Sequence, residues 1–158
     1  METAIRNQWV FVDRSAIDRQ GIFASIDIPA GTVIFPYCGE KISKTESTRR
    51  LEAGNAYLFI LNDDFDLDGD VPENLARFVN HSCQPNSESQ QDEETIWIQT
   101  LRDIQKGEEI TINYGFGLED HTENPCQCGS SDCVGYMVAE DHFETIRLLN
   151  LAPQEISL

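Results

Sequence analysis

The side chains best suited to chemistry stand in one run, Arg77-Phe78-Val79-Asn80-His81-Ser82-Cys83-Gln84-Pro85-Asn86. Apolar or aliphatic-stemmed positions lead into a dense group of small or flat hydrogen-bonding side chains, which suit a polar ligand better than a core. Alone, Asn and Ser beside a proline make an ordinary surface turn. The company they keep argues otherwise. Tyr114-Gly115 follows a strand-like segment, and Cys126-Gln127-Cys128-Gly129-Ser130-Ser131-Asp132-Cys133 brings three thiols into eight residues. Structural zinc takes four tetrahedral ligands and favours thiolate sulphur. Three are local here, so the fourth must come from afar: Cys83, Cys38 or His121. Redox-active or incidental cysteines are the plainer alternative.

The run RFVNHSCQPN resembles the Asn-His-Ser core of the SET domain, the lysine methyltransferase family that uses S-adenosylmethionine. The likeness extends in the family's order from about Gly21 to Cys133, through GIFA, YLFIL, LDG, GEEITINYG and CQCGSSDC. Tyr37-Cys38-Gly39-Glu40 is similar to the family's Tyr-x-Gly-Glu. The resemblance implies that Asn80 and His81 hold the amino-acid and adenine ends of the cofactor, with Tyr57 and Arg77 lining the same pocket. It also implies cofactor contacts from the strand that begins at Arg19 and Gln20 and runs through Gly21, Ile22 and Phe23. Tyr136 would cover the cofactor or pack beside it. Tyr114 closes the Glu-Leu-Thr-x-x-Tyr pattern, here Glu109-Ile110-Thr111-Ile112-Asn113-Tyr114, and so stands as the active-site tyrosine; Tyr114, His81 and Asn80 form the implied catalytic set. In the family's post-SET segment Cys126, Cys128 and Cys133 would take their fourth thiolate from Cys83, leaving Cys38 free as a small buried apolar side chain. Zinc would then tie the C-terminal segment to residue 83 and build one wall of the site from distant sequence.

This sequence departs from the family at three places. Arg19 occupies the first glycine of a Gly-x-Gly pattern, Asn113 replaces a common Asp, and Ile112 stands where many members carry the Phe or Tyr that limits methyl addition.

Methyl transfer from a sulfonium to a lysine nitrogen is an in-line displacement that needs a neutral amine, whereas free lysine has a pKa of about 10.4. A narrow apolar channel disfavours the ammonium form, and a polar wall aims the lone pair. Aromatic rims pack on the lysine stem and tolerate its charge on entry.

The chain has 158 residues, 40% of them hydrophobic, which suggests one compact domain able to bury its own core. Apolar runs such as Ala56 to Leu61 are too short to span a bilayer, and no basic region followed by an apolar stretch marks a secretory signal. An intracellular protein, cytosolic or nuclear, is expected. The 28 acidic against 11 basic residues give a net charge of −17, which repels nucleic-acid phosphates and attracts cationic partners, although many acidic proteins are simply soluble. A basic protein substrate fits, with a histone tail the most natural guess from the resemblance; neither direct nucleic-acid nor membrane binding is expected. Five cysteines without a signal segment argue for reduced thiols.

The expected architecture is mostly β. The resemblance implies a SET fold of several small sheets with short helices, a knot-like C-terminal threading and a C-terminal helix. Strands are expected at Trp9 to Val12, Gly21 to Ala24, Thr32 to Phe35, Tyr57 to Leu61, Thr95 to Gln99 and Glu109 to Asn113. Ser43-Lys44-Thr45-Glu46 reads as a capping box for a helix ending near Gly54, and Pro72 starts a second short helix. Ser87 to Glu94 reads as a polar loop, and Asp68-Gly69 as a hairpin turn. Asp64-Phe65-Asp66-Leu67-Asp68-Gly69 has calcium-loop spacing but lacks the closing Glu, so that reading is rejected. Glu140 to Leu151 reads as a helix stopped by Pro153, with Phe143, Ile146, Leu149 and Leu151 on its apolar face. The expected divisions are a SET domain over residues 1–118 (core about 8–118, insert about 43–62), a zinc segment over 122–138, and a helix and tail over 139–158. Two other functions compete: a scaffold that keeps the fold without turnover, and a zinc hydrolase, which needs an open metal position.

Overall fold

Alternation along residues 96–100 shows how the core is built: Ile96, Ile98 and Thr100 are buried while Trp97 and Gln99 between them are only half so. That period of two is a strand with one face inward. The structure, a computed structural model, describes residues 7–152.

Among the described residues ten strands form three small sheets. They are β1 (Val10–Arg14), β2 (Gln20–Ala24), β3 (Val33–Tyr37), β4 (Glu40–Ser43), β5 (Leu58–Ile60), β6 (Phe65–Asp68), β7 (Asn80–His81), β8 (Ser87–Gln91), β9 (Ile96–Thr100) and β10 (Glu109–Ile112). The sheet orders are β1-β2-β10-β7, β3-β9-β8 and β4-β6-β5. In the first sheet β10 lies between two much earlier strands, pairing antiparallel to β2 and parallel to β7. Ile22, Ala24 and Ile110 of the first sheet meet Ile34, Phe35 and Ile98 of the second in one buried cluster. Two α-helices lie among the described residues, α1 (Lys44–Glu52) and α2 (Phe143–Leu151). Among the described residues no helix is long and apolar enough to cross a membrane.

Helix α1 starts as its sequence demands: the Ser43 side chain accepts from the Glu46 backbone N–H at 3.2 Å. The Glu46 carboxylate turns away from the cap to bind Arg49 and Arg50. Arg50 reaches on to Glu40 and Asp68, and Lys44 pairs with Asp66 at 2.5 Å. The acids of the calcium-like stretch thus hold α1 against β6.

Several expectations are corrected. Residues 87–91 are a strand, not a loop: Ser87 to Gln91 pairs along β9 as a sheet edge, and its polar side chains hid the pattern. The hairpin turn falls at residues 61–64, where Asn62 Oδ1 accepts from the N–H of Asp64 and Phe65, rather than at Asp68-Gly69. Gly69 serves close approach instead, since a Cβ there would lie 2.3 Å from Tyr37 Oη. The helix expected from Pro72 is a single 3-10 turn at Leu75–Phe78. In α2 only Phe143 and Ile146 are buried, and Leu149 and Leu151 are exposed because, at 100° per residue, they fall off the face that Asn150 shares with Val134. Pro153 and the tail after it lie outside the described residues.

Candidate active site

Parallel pairing of β10 with β7 sets Thr111 beside Asn80 and Ile112 beside His81, so that Tyr114 emerges next to the His81 ring. The two rings meet edge-on with centroids 5.3 Å apart. The Tyr114 N–H donates to His81 Nδ1 at 3.0 Å, and the Tyr114 hydroxyl donates to the Val79 carbonyl at 2.8 Å. Burial, with Asp18 and Tyr57 nearby, pushes the Tyr114 phenol up to about 12. Although 38% of Tyr114 is open, its hydroxyl is packed and stays protonated at neutral pH. Burial holds His81 down at about 4, so its ring is neutral.

Asn80 is the hub of a second network. Its Nδ2 donates to the Gln20 carbonyl at 3.0 Å and to Glu109 Oε1 at 2.8 Å. The same carboxylate accepts from Ser15 Oγ at 2.8 Å. Glu109 lies in the expected motif, but nothing in the sequence told of its part in holding Asn80.

A cavity of about 360 Å³ opens at this junction. Asp18, Arg19 and Gln20 line it from the turn into β2, Tyr57, Leu58 and Phe59 from the entry to β5, and Ala76 to Asn80 from the turn leading into β7. Tyr37, Ile98, Ile112, Tyr114 and Phe116 complete a largely aromatic and aliphatic wall. Tyr37 donates to the Tyr57 carbonyl at 2.7 Å, and burial raises its phenol above the ordinary range. Arg77 stacks on Phe78 and lies 3.6 Å from Asp70, and its Nε is buried without a partner. Arg19 has a φ of 35°, the single left-handed non-glycine among the described residues, at the position where the family pattern has glycine.

Of the expected cofactor residues, Arg19, Gln20, Tyr57, Arg77, Asn80 and Tyr114 line the cavity. Gly21, Ile22, Phe23, His81 and Tyr136 do not. Ile22 is sealed in the core, Phe23 stacks on Phe11, and Tyr136 packs edge-on against His121. Gly21 lies under Glu109, whose Oε1 would be 2.2 Å from any Cβ added there.

The sulphurs of Cys83, Cys126, Cys128 and Cys133 all lie within 4.8 Å of one another. Cys83 Sγ is 3.8 Å from Cys126 Sγ and 3.9 Å from Cys133 Sγ. Four thiolates at about 2.3 Å around a tetrahedral ion stand about 3.8 Å apart, so the spacing fits zinc. Burial raises Cys83 to about 11 and Cys126 further, while against burial the Ser130 hydroxyl helps draw Cys128 down to about 6. A divalent cation among them would let all four ionise together. Cys38 and His121 are elsewhere: the Cys38 N–H donates to Asn74 and its thiol is half-buried rather than sealed, and His121 Nδ1 faces the Leu118 carbonyl. Four sulphur ligands on one tetrahedral ion would leave no open position for a hydrolytic water.

The SET domain family matches residues 19–115. Over 136 residues, 78% of this chain, the sequence is 35% identical to a histone-lysine N-methyltransferase, H3 lysine-4 specific, of Emericella nidulans. It is 37% identical over 82% of its length to histone-lysine N-methyltransferase trithorax of Drosophila virilis, and 34% identical over 84% to histone-lysine N-methyltransferase trr of Drosophila melanogaster. The chain spans only 11%, 4% and 6% of these relatives. A family match over most of the strand core, read together with an Asn-His pair laid beside the strand that ends in Tyr114, places this chain in the SET-domain family.

Proposed function

We propose that the chain is a protein-lysine N-methyltransferase that uses S-adenosylmethionine and acts on a lysine in a basic protein segment, with histone H3 tails as the first substrate class. The observation that carries this is the cavity: polar at the Asp18 to Gln20 and Arg77 to Asn80 side, aromatic and aliphatic around Tyr114. S-adenosylmethionine supplies the electrophilic methyl. The exposed part of the Arg77 guanidinium would meet the cofactor carboxylate, Asn80 would brace its amino-acid end, and Arg19, Gln20 and Tyr57 would line the pocket around it. The Tyr114 hydrogen is spent on Val79, so toward the amine its oxygen acts as an acceptor and orients the lone pair. No protein base is required, because the apolar wall itself favours the neutral amine. Cys83, Cys126, Cys128 and Cys133 would hold a structural zinc, which would fix residues 122–138 against the site. A histone substrate would place the chain at chromatin, and the net charge of −17 would draw basic tails to it.

The test is incubation with labelled S-adenosylmethionine and a panel of histones and other basic proteins, comparing wild type with Tyr114→Phe and His81→Ala. Label on a histone that falls at least tenfold in both variants supports the reading. Undiminished label in both removes the site assignment. Tight cofactor binding with no label on any protein would favour a scaffold, to which the arginine at position 19 lends its weight.

A further inference from the structure

One imidazole lies between the four-thiol cluster and the cavity. His81 is 2% exposed, belongs to the two-residue strand β7, and does not line the cavity wall. Its Nδ1 is 3.0 Å from the Tyr114 backbone nitrogen. An amide N–H can only donate, so Nδ1 accepts and the ring proton sits on Nε2. That nitrogen lies 3.6 Å from Cys83 Sγ. Groups that hydrogen-bond to metal ligands orient them and tune the metal.

We propose that His81 is a positioning residue that couples the metal to Tyr114, its Nε2–H donating to the metal-bound Cys83 thiolate while its Nδ1 fixes the Tyr114 main chain. This rests on zinc at the four cysteines and on the methyl-transfer reading of the cavity. It differs from the cofactor-holding role that the family resemblance implies. The ring is held at both ends, so a displacement of Cys83 Sγ passes through a rigid five-membered ring to the residue that orients the amine. Another link between the zinc segment and the neighbourhood of Tyr114, Asn113 Nδ2 to the Val138 carbonyl at 3.1 Å, touches no sulphur and cannot report the metal in this way.

The test does not read turnover. In zinc-loaded wild type, nitrogen NMR of the imidazole should show the proton on Nε2 and none on Nδ1. In His81→Asn the shorter amide still accepts from Tyr114 but cannot reach Cys83. Its zinc affinity should fall about ten- to a hundredfold in competition with a chromophoric chelator. The metal resonance of the cadmium-loaded protein should shift as well. In His81→Gln the longer side chain keeps the reach to sulphur and loses the acceptor at Nδ1, so zinc affinity should stay near wild type while the Tyr114 amide exchanges faster. A proton on Nδ1, or an unmoved cadmium resonance in folded His81→Asn, overturns the coupling even if methyl transfer is robust. A protein that retains no metal overturns the zinc reading itself. If both variants misfold, the wild-type imidazole spectrum still decides.

Discussion

Gly21→Ala, a change of one methyl group, should damage this site from a distance. The new Cβ would lie 2.2 Å from Glu109 Oε1, 2.8 Å from Glu109 Cδ and 3.1 Å from Ser15 Cβ. The backbone at 21 is locked between β1 and β10 neighbours, so the carboxylate must give way. When it moves it leaves Asn80 Nδ2 and Ser15 Oγ, both now at 2.8 Å. Hydrogen bonds to a charged group contribute about 1.5–3 kcal/mol each; with the carboxylate only half-buried, a loss of about 3 kcal/mol is expected. For a domain of this size that lowers the melting temperature by roughly 6–12 °C. Asn80, freed on one side, should also hold the cofactor less well. Thermal unfolding and calorimetric cofactor binding read the two effects. Glu109→Ala removes the obstacle and the bonds at once, so Gly21→Ala added to Glu109→Ala should cost almost nothing further. Additive losses in that cycle, or a melting temperature for Gly21→Ala within a degree of wild type, would refute the argument that this glycine exists to seat the Glu109 carboxylate.

Three other outcomes are expected. Ile112→Phe puts a larger ring into the cavity wall, and mass spectrometry of the methylated peptide should show fewer methyl groups per lysine; an unchanged distribution would mean that residue 112 does not face the acceptor. Tyr114, raised to about 12 in the fold from about 10 unfolded, contributes stability that is full below pH 10 and is lost as pH climbs toward 12. Tyrosinate absorbance should therefore lose a component titrating well above pH 10 when Tyr114 becomes Phe, and a Tyr114 component with its midpoint near 10 would contradict the packed hydroxyl. Cys83→Ser removes one of four sulphurs, so purified protein should carry markedly less zinc and the segment from 126 to 133 should exchange its amides faster; full zinc occupancy would show that Cys83 is not a ligand.

What could be read from the sequence and what could not divides on how local the physics is. The Ser43 cap, the strand at 96–100 and the three close cysteines depend on neighbours a few residues away, and each stands where its pattern put it. The cavity residues on β5 and before β7 came from motif likeness; spacing alone would have left them a turn and a strand end. The strand at 87–91 was invisible because Ser-Glu-Ser-Gln-Gln carries no alternation: its pairing is dictated by the apolar strand beside it. Glu109 and Gly21 show the same limit more sharply, since the reason for each lies in the other, 88 positions along the chain. Arg19 belongs to neither class. The backbone there is left-handed, a conformation that favours glycine, so the arginine carries local backbone strain. The Gln20 carbonyl stays on Asn80, and the side chain of Arg19 is added to the cavity wall where a glycine would have left it bare. The arginine at position 19 therefore shapes what the cavity presents while the Gln20 carbonyl beside it keeps its bond to Asn80.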